Sequence, residues 1–310
     1  MPPTSPRPAL LAATAFLLFS VWAGSFIAIE ALLAGRFDWL SLTVARFVPV
    51  AILCGSWCLL RRRAETLAVV RTHWRRLLLC GLFMVPGYNF ALYYGQEHRI
   101  AAPIASLLTA LAPLFLLILS ALFLSERITA RRAAGFAIAA AGVVLVARAR
   151  TDTEGTTYPL LVALTAIAPL CWALQTAIAK PVMRRVSPLV WTYLSICFGT
   201  APLFLVLPFR GGLELLRLDP AGHAMLGYLS VLCTILGFAL WTWLLRHLTA
   251  GTVGFTIFLN PPLTTVYKLS LAALFPAAFA FSVRTGEVLG GLVVLAGVGV
   301  AVLAPARAAR

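Results

Sequence analysis

The chain has 310 residues with a formal net charge of +15, and 61% of the residues are hydrophobic while only 11% are charged. That charged share is about half the share usual in a soluble domain, so the composition excludes an ordinary soluble protein. The basic residues stand in short segments between long apolar runs, which favours topological signals beside membrane spans over nucleic-acid binding.

Apolar runs of roughly 20 residues, each long enough to cross about 30 Å of hydrocarbon as a helix, follow one another along the chain. They predict an all-α integral membrane protein with ten transmembrane helices and no sizeable soluble domain. The predicted helices cover residues 10–33, 39–60, 77–95, 101–124 and 130–147 in the first half, and 158–182, 189–208, 223–245, 252–275 and 286–303 in the second.

The second half of the chain repeats the first. Residues 90–114 return as residues 238–262 at a constant offset of 148, with matching phenylalanine, alanine, leucine and proline positions. Because each half holds an odd number of helices, the second half enters the membrane from the opposite side, which predicts two inverted five-helix repeats. The predicted parts are a cytoplasmic tail (1–9), the first repeat (10–147), an extracytoplasmic linker (148–157), the second repeat (158–303) and a cytoplasmic tail (304–310).

The distribution of lysine and arginine predicts the orientation. With the N-terminus inside, the inner loops and tails hold 16 of the 25 basic residues and the outer loops hold 7. This excess predicts a multi-pass protein of the cell (inner) membrane with both termini in the cytoplasm. The basic segment 61–76 is interpreted as a solvated loop beside anionic lipid, with an interfacial amphipathic segment or a regulatory patch as alternatives.

Small residues in the spans indicate close packing. Gly286 and Gly290 stand at GxxxG spacing in the tenth predicted helix, and the fifth is rich in alanine and glycine. Packing within the chain is favoured over dimerisation, so a monomer is expected. The six cysteines lie within predicted spans without metal-ligand spacing and are interpreted as packing residues.

Motifs that carry catalysis are missing from the sequence. It holds no GxxxxGK[ST] loop, no HExxH pair and no GxSxG elbow, so neither catalytic residues nor a metal or cofactor are predicted. An integral membrane enzyme acting on lipids, the remote alternative, needs carboxylates or histidines clustered at one leaflet. A receptor needs a long soluble loop for its partner.

Four prolines fall near the middle of predicted spans, namely Pro86, Pro113, Pro169 and Pro261. Each removes an amide donor and frees carbonyls that hydrocarbon cannot satisfy, so they favour helix breaks around a water-filled cavity. Pro113 and Pro261 are equivalent in the two repeats. The alternative is that each proline only kinks its helix.

Polar and aromatic residues from several helices fall at one depth. A rise of about 1.5 Å per residue places the following residues near mid-membrane: Trp22, Ser25, Tyr88, Asn89, Thr109, Trp172, Gln175 and Asn260. They are predicted to line a substrate cavity with aromatic walls and polar contacts. The alternatives are lipid-facing or packing tryptophans, and asparagines that join helices by hydrogen bonds.

Charged residues also lie within predicted spans, notably Glu30, Arg46 and Lys268. All three calculate to the outer third of the membrane, where a charge tends to be paired or wet. We hypothesise that Glu30 pairs with Arg46 or Lys268, gating an outward vestibule or holding an amphoteric solute. The alternative is that the two cations extend to the outer headgroups.

The stretch LTALAPLFLLILSALFLSERITARRAAGFAIAAAGVVLV, residues 108–146, combines a midspan proline, the turn Glu126–Arg127 and a helix with Gly135 and Gly142. Together with the duplicated unit, it resembles the EamA-type drug/metabolite transporters over essentially the whole chain. Trp22, Tyr88, Trp172 and Trp241 resemble positions of YddG-type exporters of aromatic amino acids, whose helices surround a central cavity. The second half departs from the pattern, because it lacks the Glu-Arg turn and inserts LFPAAFAFS at 274–282.

The resemblance implies a secondary transporter that exports amino acids or similar small metabolites by alternating access, with a small-molecule substrate and the lipid bilayer as partners. Alternatives of the same fold are carriers of sugar phosphates, vitamins or drugs. An anionic substrate requires a midspan lysine or arginine, and both in-span cations calculate off-centre.

Overall fold

A computed structural model of the chain describes residues 8–124, 129–149, 157–209, 217–248, 256–276 and 284–302. Within these ranges all regular secondary structure is helical and no strand occurs. The predicted all-α architecture is therefore confirmed. The Glu126–Arg127 turn and most of the 274–282 insertion lie outside the described residues.

The helices of the first half are α1 to α5. They comprise α1 (Pro8–Leu33), α2 (Trp39–Arg61), α3 (Arg63–Glu97, with a π-helical segment at Phe83–Gly87), α4 (Ala102–Thr109 and Ala112–Leu124) and α5 (Ala130–Arg148). Asp38 begins α2, because its carboxylate accepts hydrogen bonds from the Leu40 and Ser41 amides, which otherwise lack partners in the first turn.

The helices of the second half are α6 to α10. They comprise α6 (Tyr158–Thr165 and Ile167–Ala179), α7 (Pro188–Thr200 and Leu203–Val206), α8 (Pro220–His247, π-helical at Tyr228–Leu236), α9 (a 3-10 turn, Ile257–Leu259, then Asn260–Leu274) and α10 (Thr285–Val302). Most begin with a proline in the first turn, where the missing amide hydrogen has no helical partner to lose.

Among the described residues, eight helices are long and apolar enough to cross a membrane, namely α1 to α8. The described part of α9 has 15 residues, and Thr285–Ala301 of α10 is a shorter apolar helix. Large apolar side chains remain on the outer surface, such as Leu60, Leu205 and Phe209, which are about four-fifths exposed. Such a surface fits hydrocarbon, and the chain is a multi-pass membrane protein.

The interpretation of residues 61–76 as a loop is wrong, because this segment is helical from Arg63 onwards, with a kink at His73, and the helix continues to Glu97. Thr66 and Val69 are buried on one face of this segment, and Thr66 Oγ1 donates to the Cys58 carbonyl at 3.1 Å. Its arginines are exposed. The segment is helical for two reasons. Alanine, leucine and arginine have high helix propensity, and the apolar face of the helix is buried against the core.

Two of the helix interruptions recur at the offset that relates the two halves. Adding 148 to the π-helical residues 83–87 of α3 gives 231–235, which lie inside the π-helical segment of α8. Adding 148 to residues 110 and 111, where α4 breaks, gives residues 258 and 259, which lie in the 3-10 turn of α9. Both halves therefore depart from α-helical geometry at equivalent places.

The four midspan prolines account for several of these interruptions. Pro86 lies inside the π-helical segment of α3. Pro113, Pro169 and Pro261 each lie in the first turn of a new helical segment that follows a break. A proline is tolerated there because the first-turn amides have no acceptor within the helix.

Helices α5 and α10 pack against each other in antiparallel directions. A Cβ atom on Gly135 would collide with the backbone at Gly297 and Ala301, and one on Gly142 would collide with the backbone at Gly290 and Val294. Residues later in α5 thus contact residues earlier in α10, so the two helices run in opposite directions. The predicted close packing of these glycines within the chain is confirmed, since it requires residues without side chains.

Contacts between chain segments define two ends of the bundle. At one end, which we call the Arg36 end, Arg36 bonds both carboxylate oxygens of Asp219 at 3.1 Å, and Arg284 donates to the Ala149 carbonyl at 3.0 Å. The hydrogen bonds from Arg36, and then from the Gly222 amide, lower the pKa of Asp219 below its ordinary value of 3.8.

At the opposite end, the Ser187 end, the Glu65 carboxylate accepts from the Ser187 amide at 2.9 Å, and Arg246 donates to Ser187 Oγ at 3.4 Å. These contacts join the α2–α3 connection, the α6–α7 connection and the C-terminus of α8. The α1–α2 connection and the start of α8 meet instead at the Arg36 end, so successive helices run between two faces.

Candidate functional site

A cavity lies between α1, α2, α3, α4, α6, α8 and α9. Seven of the residues predicted for a substrate site line it: Trp22, Ser25, Tyr88, Asn89, Thr109, Trp172 and Asn260. The space open to the centres of water-sized spheres is about 90 Å³. A cavity needs about 10–15 Å³ by this measure to hold one water, so this one has room for several waters.

The helix interruptions place the lining residues. Tyr88 directly follows the π-helical segment of α3, Thr109 precedes the break in α4, and Asn260 follows the 3-10 turn of α9. Backbone groups freed at such breaks need partners, which are available beside other protein segments or water. Asn89 meets part of this need, since its Nδ2 donates to the carbonyls of Met84 and Val85 at 3.2 and 2.9 Å.

Aromatic rings form one wall of the cavity. The Trp172 ring lies 5.7 Å from Tyr88, 6.0 Å from Phe238 and 6.2 Å from Trp22, measured between centroids. Trp22 is held in place by a hydrogen bond of 2.9 Å from its Nε1 to the Cys233 carbonyl. Edge-to-face and offset contacts at these distances are favourable, so the wall is a packed cluster.

Trp241 and Gln175 do not line the cavity. Trp241 packs behind its wall, 5.6 Å from Trp22 and 6.3 Å from Trp172. The Gln175 side chain donates to Thr176 Oγ1 at 3.0 Å on its own helix. Trp241 therefore supports the aromatic wall, whereas Gln175 lies apart from the other predicted residues.

The polar residues of the cavity differ in how fully they are bonded. Ser25 Oγ donates to the Trp22 carbonyl at 2.6 Å, and Thr109 Oγ1 donates to the Ser106 carbonyl at 2.8 Å. Asn260 is 95% buried, being 5% exposed, and its Oδ1 has no hydrogen-bond partner among the described residues. A buried amide oxygen without a donor is costly, so it is available to a ligand.

Glu30 and Lys268 form an ion pair between α1 and α9, with Nζ and Oε1 3.0 Å apart. Glu30 also accepts from the Ala102 amide at the start of α4, at 3.0 Å. The side chain of Lys268 is 5% exposed, so this cation does not extend to the surface. The pair joins three helices on the side of the cavity towards the Arg36 end.

Arg46 belongs to the cavity, whereas the sequence placed it off-centre. It is buried and lines the cavity with Tyr88 and Asn89. Its Nη1 donates to the Tyr93 hydroxyl at 2.5 Å, and its Nε and Nη2 donate to Thr234 Oγ1 at 3.2 and 2.9 Å. The sequence hypothesis paired Glu30 with Arg46 or Lys268 and did not place Arg46 among the residues that line the cavity.

Sequence reasoning also missed apolar residues of the lining, such as Phe26, Phe47, Met84, Phe238 and Ile257. One signal was available, because Phe238 is the repeat equivalent of Phe90. The others resemble ordinary core residues in a chain that is apolar throughout. Which apolar side chain meets a cavity depends on the rotation of its helix, and a nearly uniform apolar helix does not encode that rotation.

Membrane-length helices around a polar and aromatic cavity, broken near that cavity, are the architecture of a multi-pass membrane transporter. The model of the EamA-like transporter family matches the chain twice, over residues 9–148 and 159–303. The chain belongs to the EamA-like transporter family.

Individual relatives agree with this assignment. A probable terminal-alkyne amino-acid exporter of Streptantibioticus cattleyicolor is 30% identical over 249 residues, covering 79% of this chain and 80% of the relative. A transporter of Archaeoglobus fulgidus is 24% identical, covering 91% and 93% of the two chains. A solved crystal structure aligns with a TM-score of 0.59 and 21% identity over 95% of this chain and 96% of the other, which shows a shared fold.

Proposed function

We propose that the chain exports amino acids or similar small amphoteric metabolites by alternating access through the central cavity. The observation that carries this proposal is the cavity itself, whose lining combines aromatic rings with polar side chains and an arginine. Such a site suits a solute with an apolar side chain and a charged backbone part. The amino-acid exporter among the relatives supports the same substrate class.

Alternating access requires two halves of opposite orientation, and we propose ten spans in two inverted repeats with both termini in the cytoplasm. Three observations support this topology. Helices α5 and α10, equivalent in the repeats, run antiparallel. The interruptions of α3 and α4 recur in α8 and α9 at an offset of 148. Loops of alternate helices meet at alternate ends.

In this proposal the aromatic cluster and the ion pair are barriers on opposite sides of the cavity. Along α1 the order is Phe19, Trp22, the cavity residue Ser25 and then Glu30. The cluster thus stands towards the Ser187 end, assigned to the cytoplasm, and the Glu30–Lys268 pair towards the outside. Each barrier opens in turn as the two halves rearrange.

The test is flux in liposomes that contain the purified protein. Vesicles are loaded with one unlabelled amino acid and then exposed to its labelled form, scanning the proteinogenic amino acids and a terminal-alkyne amino acid, with and without a pH gradient. We expect labelled solute to accumulate for a subset of these. Equal inertness towards all of them would reject the proposal.

A variant pair ties the flux to the cavity. Trp172→Ala removes the ring that contacts Trp22, Tyr88, Phe238 and Trp241, each contact contributing about 0.5–1.5 kcal/mol, so we expect flux to fall at least tenfold. Trp74→Ala is the matched control, because Trp74 is 48% exposed and remote from the cavity. Equal flux in the two variants would contradict a cavity role for the aromatic wall.

A further inference from the structure

The guanidinium of Arg46 is a buried cation for which the described part of the chain supplies no counter-ion. Only 8% of Arg46 is exposed. The described carboxylates are all bonded elsewhere: Glu30 to Lys268, Asp38 to the start of α2, Glu65 to Ser187, Glu97 to Trp39, Asp219 to Arg36 and Glu287 to the Arg284 amide. A buried, unneutralised charge is costly, and in a membrane protein it indicates a functional site.

The hydroxyls that hold Arg46 fix its position without cancelling its charge. Of the guanidinium's five N–H donors, three are engaged by Tyr93 and Thr234, and two remain for another acceptor. Thr234 lies in the π-helical segment of α8, and Tyr93 follows that of α3. The helix interruptions therefore present a preorganised cation to the cavity.

We propose that Arg46 binds the carboxylate of the transported amino acid, an inference that rests on the proposed function. Two free donors match the two oxygens of a carboxylate, the geometry in which arginine binds this group most strongly. The partnerless Oδ1 of Asn260, on the same cavity, accepts a hydrogen bond from the ammonium group. The side chain of the substrate then lies against the ring of Trp172.

Charge balance favours a carboxylate over a phosphate monoester. A phosphate monoester carries about −1.5 to −2 charges near neutral pH, whereas the cavity offers a single unneutralised cation among the described residues. Lys268, the other cation within the helices, is neutralised by Glu30. The carboxylate of an amino acid matches the charge of the guanidinium one to one, and the ammonium group of the same solute lies at the uncharged amide oxygen of Asn260. A simple amine has no such carboxylate and adds a like charge beside the guanidinium.

The first test uses the unaltered protein in liposomes. For the amino acid with the highest flux, its amide and its decarboxylated amine compete with the labelled acid; for L-phenylalanine these are L-phenylalaninamide and phenethylamine. We expect both to compete at least tenfold more weakly than the acid. Equal competition would overturn the role of Arg46 while flux of the acid leaves the proposed function intact. Absence of flux for every amino acid would reject both.

The second test changes the cation. In Arg46→Gln we expect at least a tenfold loss of acid flux together with loss of the preference for acid over amide. Arg36→Gln, which removes an exposed arginine outside the cavity, should leave both unchanged. Preference retained in Arg46→Gln would overturn the proposal.

A third variant tests the proposal even if Arg46→Gln does not fold. Thr234→Val keeps the cation but removes the acceptor that fixes it. We expect KM for the acid to rise several-fold while competition by the amide stays the same. An unchanged KM for the acid would contradict the positioning of Arg46 by this hydroxyl.

Discussion

At the scale of single residues, the two cations buried among the helices are stabilised in different ways. Lys268 has a carboxylate partner, Glu30, at 3.0 Å. Arg46 is bonded to the neutral hydroxyls of Tyr93 and Thr234. The neutralised Lys268 suits a structural contact that joins helices. The hydroxyl partners of Arg46 leave its charge available to a ligand.

This difference gives a prediction for the ion pair. Lys268→Gln leaves the Glu30 carboxylate unneutralised, so we expect lower thermal stability in detergent and reduced flux. Removing one partner of a fully buried pair costs about 3–5 kcal/mol, and the cost here is smaller because the Glu30 side chain is 26% exposed.

The double variant Glu30→Gln with Lys268→Gln is the control, since it removes both charges and keeps an acceptor for the Ala102 amide. We expect it to recover most of the lost stability. If the double variant is no more stable than Lys268→Gln, the two groups are not coupled.

A second residue-scale prediction concerns acid stability. Because Arg36 lowers the pKa of Asp219, this carboxylate stabilises the fold above its unfolded pKa, near 3.8. The stabilisation is lost as pH falls through the lowered folded value. Asp219→Asn retains a residue suited to begin a helix but loses the charge.

Thermal unfolding in detergent measures the effect. The wild type should exceed Asp219→Asn in melting temperature at pH 7, and the gap should close below about pH 3.8. The gap should also shrink at high salt, because the pair is exposed. A gap that does not narrow as the pH falls below 3.8 would contradict a role for this charge.

At this scale, the sequence predicted many of the residues that line the cavity, but it did not predict that Arg46 is one of them. Trp22, Tyr88, Asn89 and Asn260 could be found because polar and aromatic residues are rare at mid-span. Arg46 was assigned to a charge pair or gate, and its position on the cavity with Tyr88 and Asn89 was not predicted. The hydroxyl partners of Arg46 come from α3 and α8. The sequence of a single helix does not show which residues of other helices it will contact.

At the scale of helices, departures from α-helical geometry position the site. The breaks near Pro113 and Pro261 were predictable because proline lacks the amide hydrogen. The π-helical segment of α8, Tyr228–Leu236, contains no proline, and only the repeat relation to α3 pointed to it. The helix at residues 63–76 was mistaken for a loop, because its many arginines suggested a solvated segment and its apolar face was overlooked.

The α5–α10 contact gives the prediction for this scale. Gly297→Leu places a side chain against the backbone at Ala139 and Gly135. Overpacking of this kind costs about 1–3 kcal/mol, so we expect a lower melting temperature and less folded protein. Gly299→Leu is the matched control on the same helix, because a Cβ at Gly299 meets nothing within 4 Å. Equal stability of the two variants would contradict the packing.

At the scale of the whole molecule, two sequence-related halves enclose a cavity between them. The family model matches each half separately, and the cavity takes residues from both, such as Tyr88 and Asn260. Composition and the repeat sufficed to predict the class of protein. The size and lining of the cavity follow from how seven helices pack, which no single helix determines.

The most direct measurement is flux through a protein whose cavity has been filled. Ala112 lines the cavity and is 4% exposed, so Ala112→Phe introduces a ring into it. Ala140→Phe makes the same change on the exposed face of α5. We predict that Ala112→Phe, still folded by its melting curve, loses at least nine-tenths of amino-acid flux while Ala140→Phe keeps wild-type flux. Undiminished flux in Ala112→Phe would contradict a transport path through this cavity.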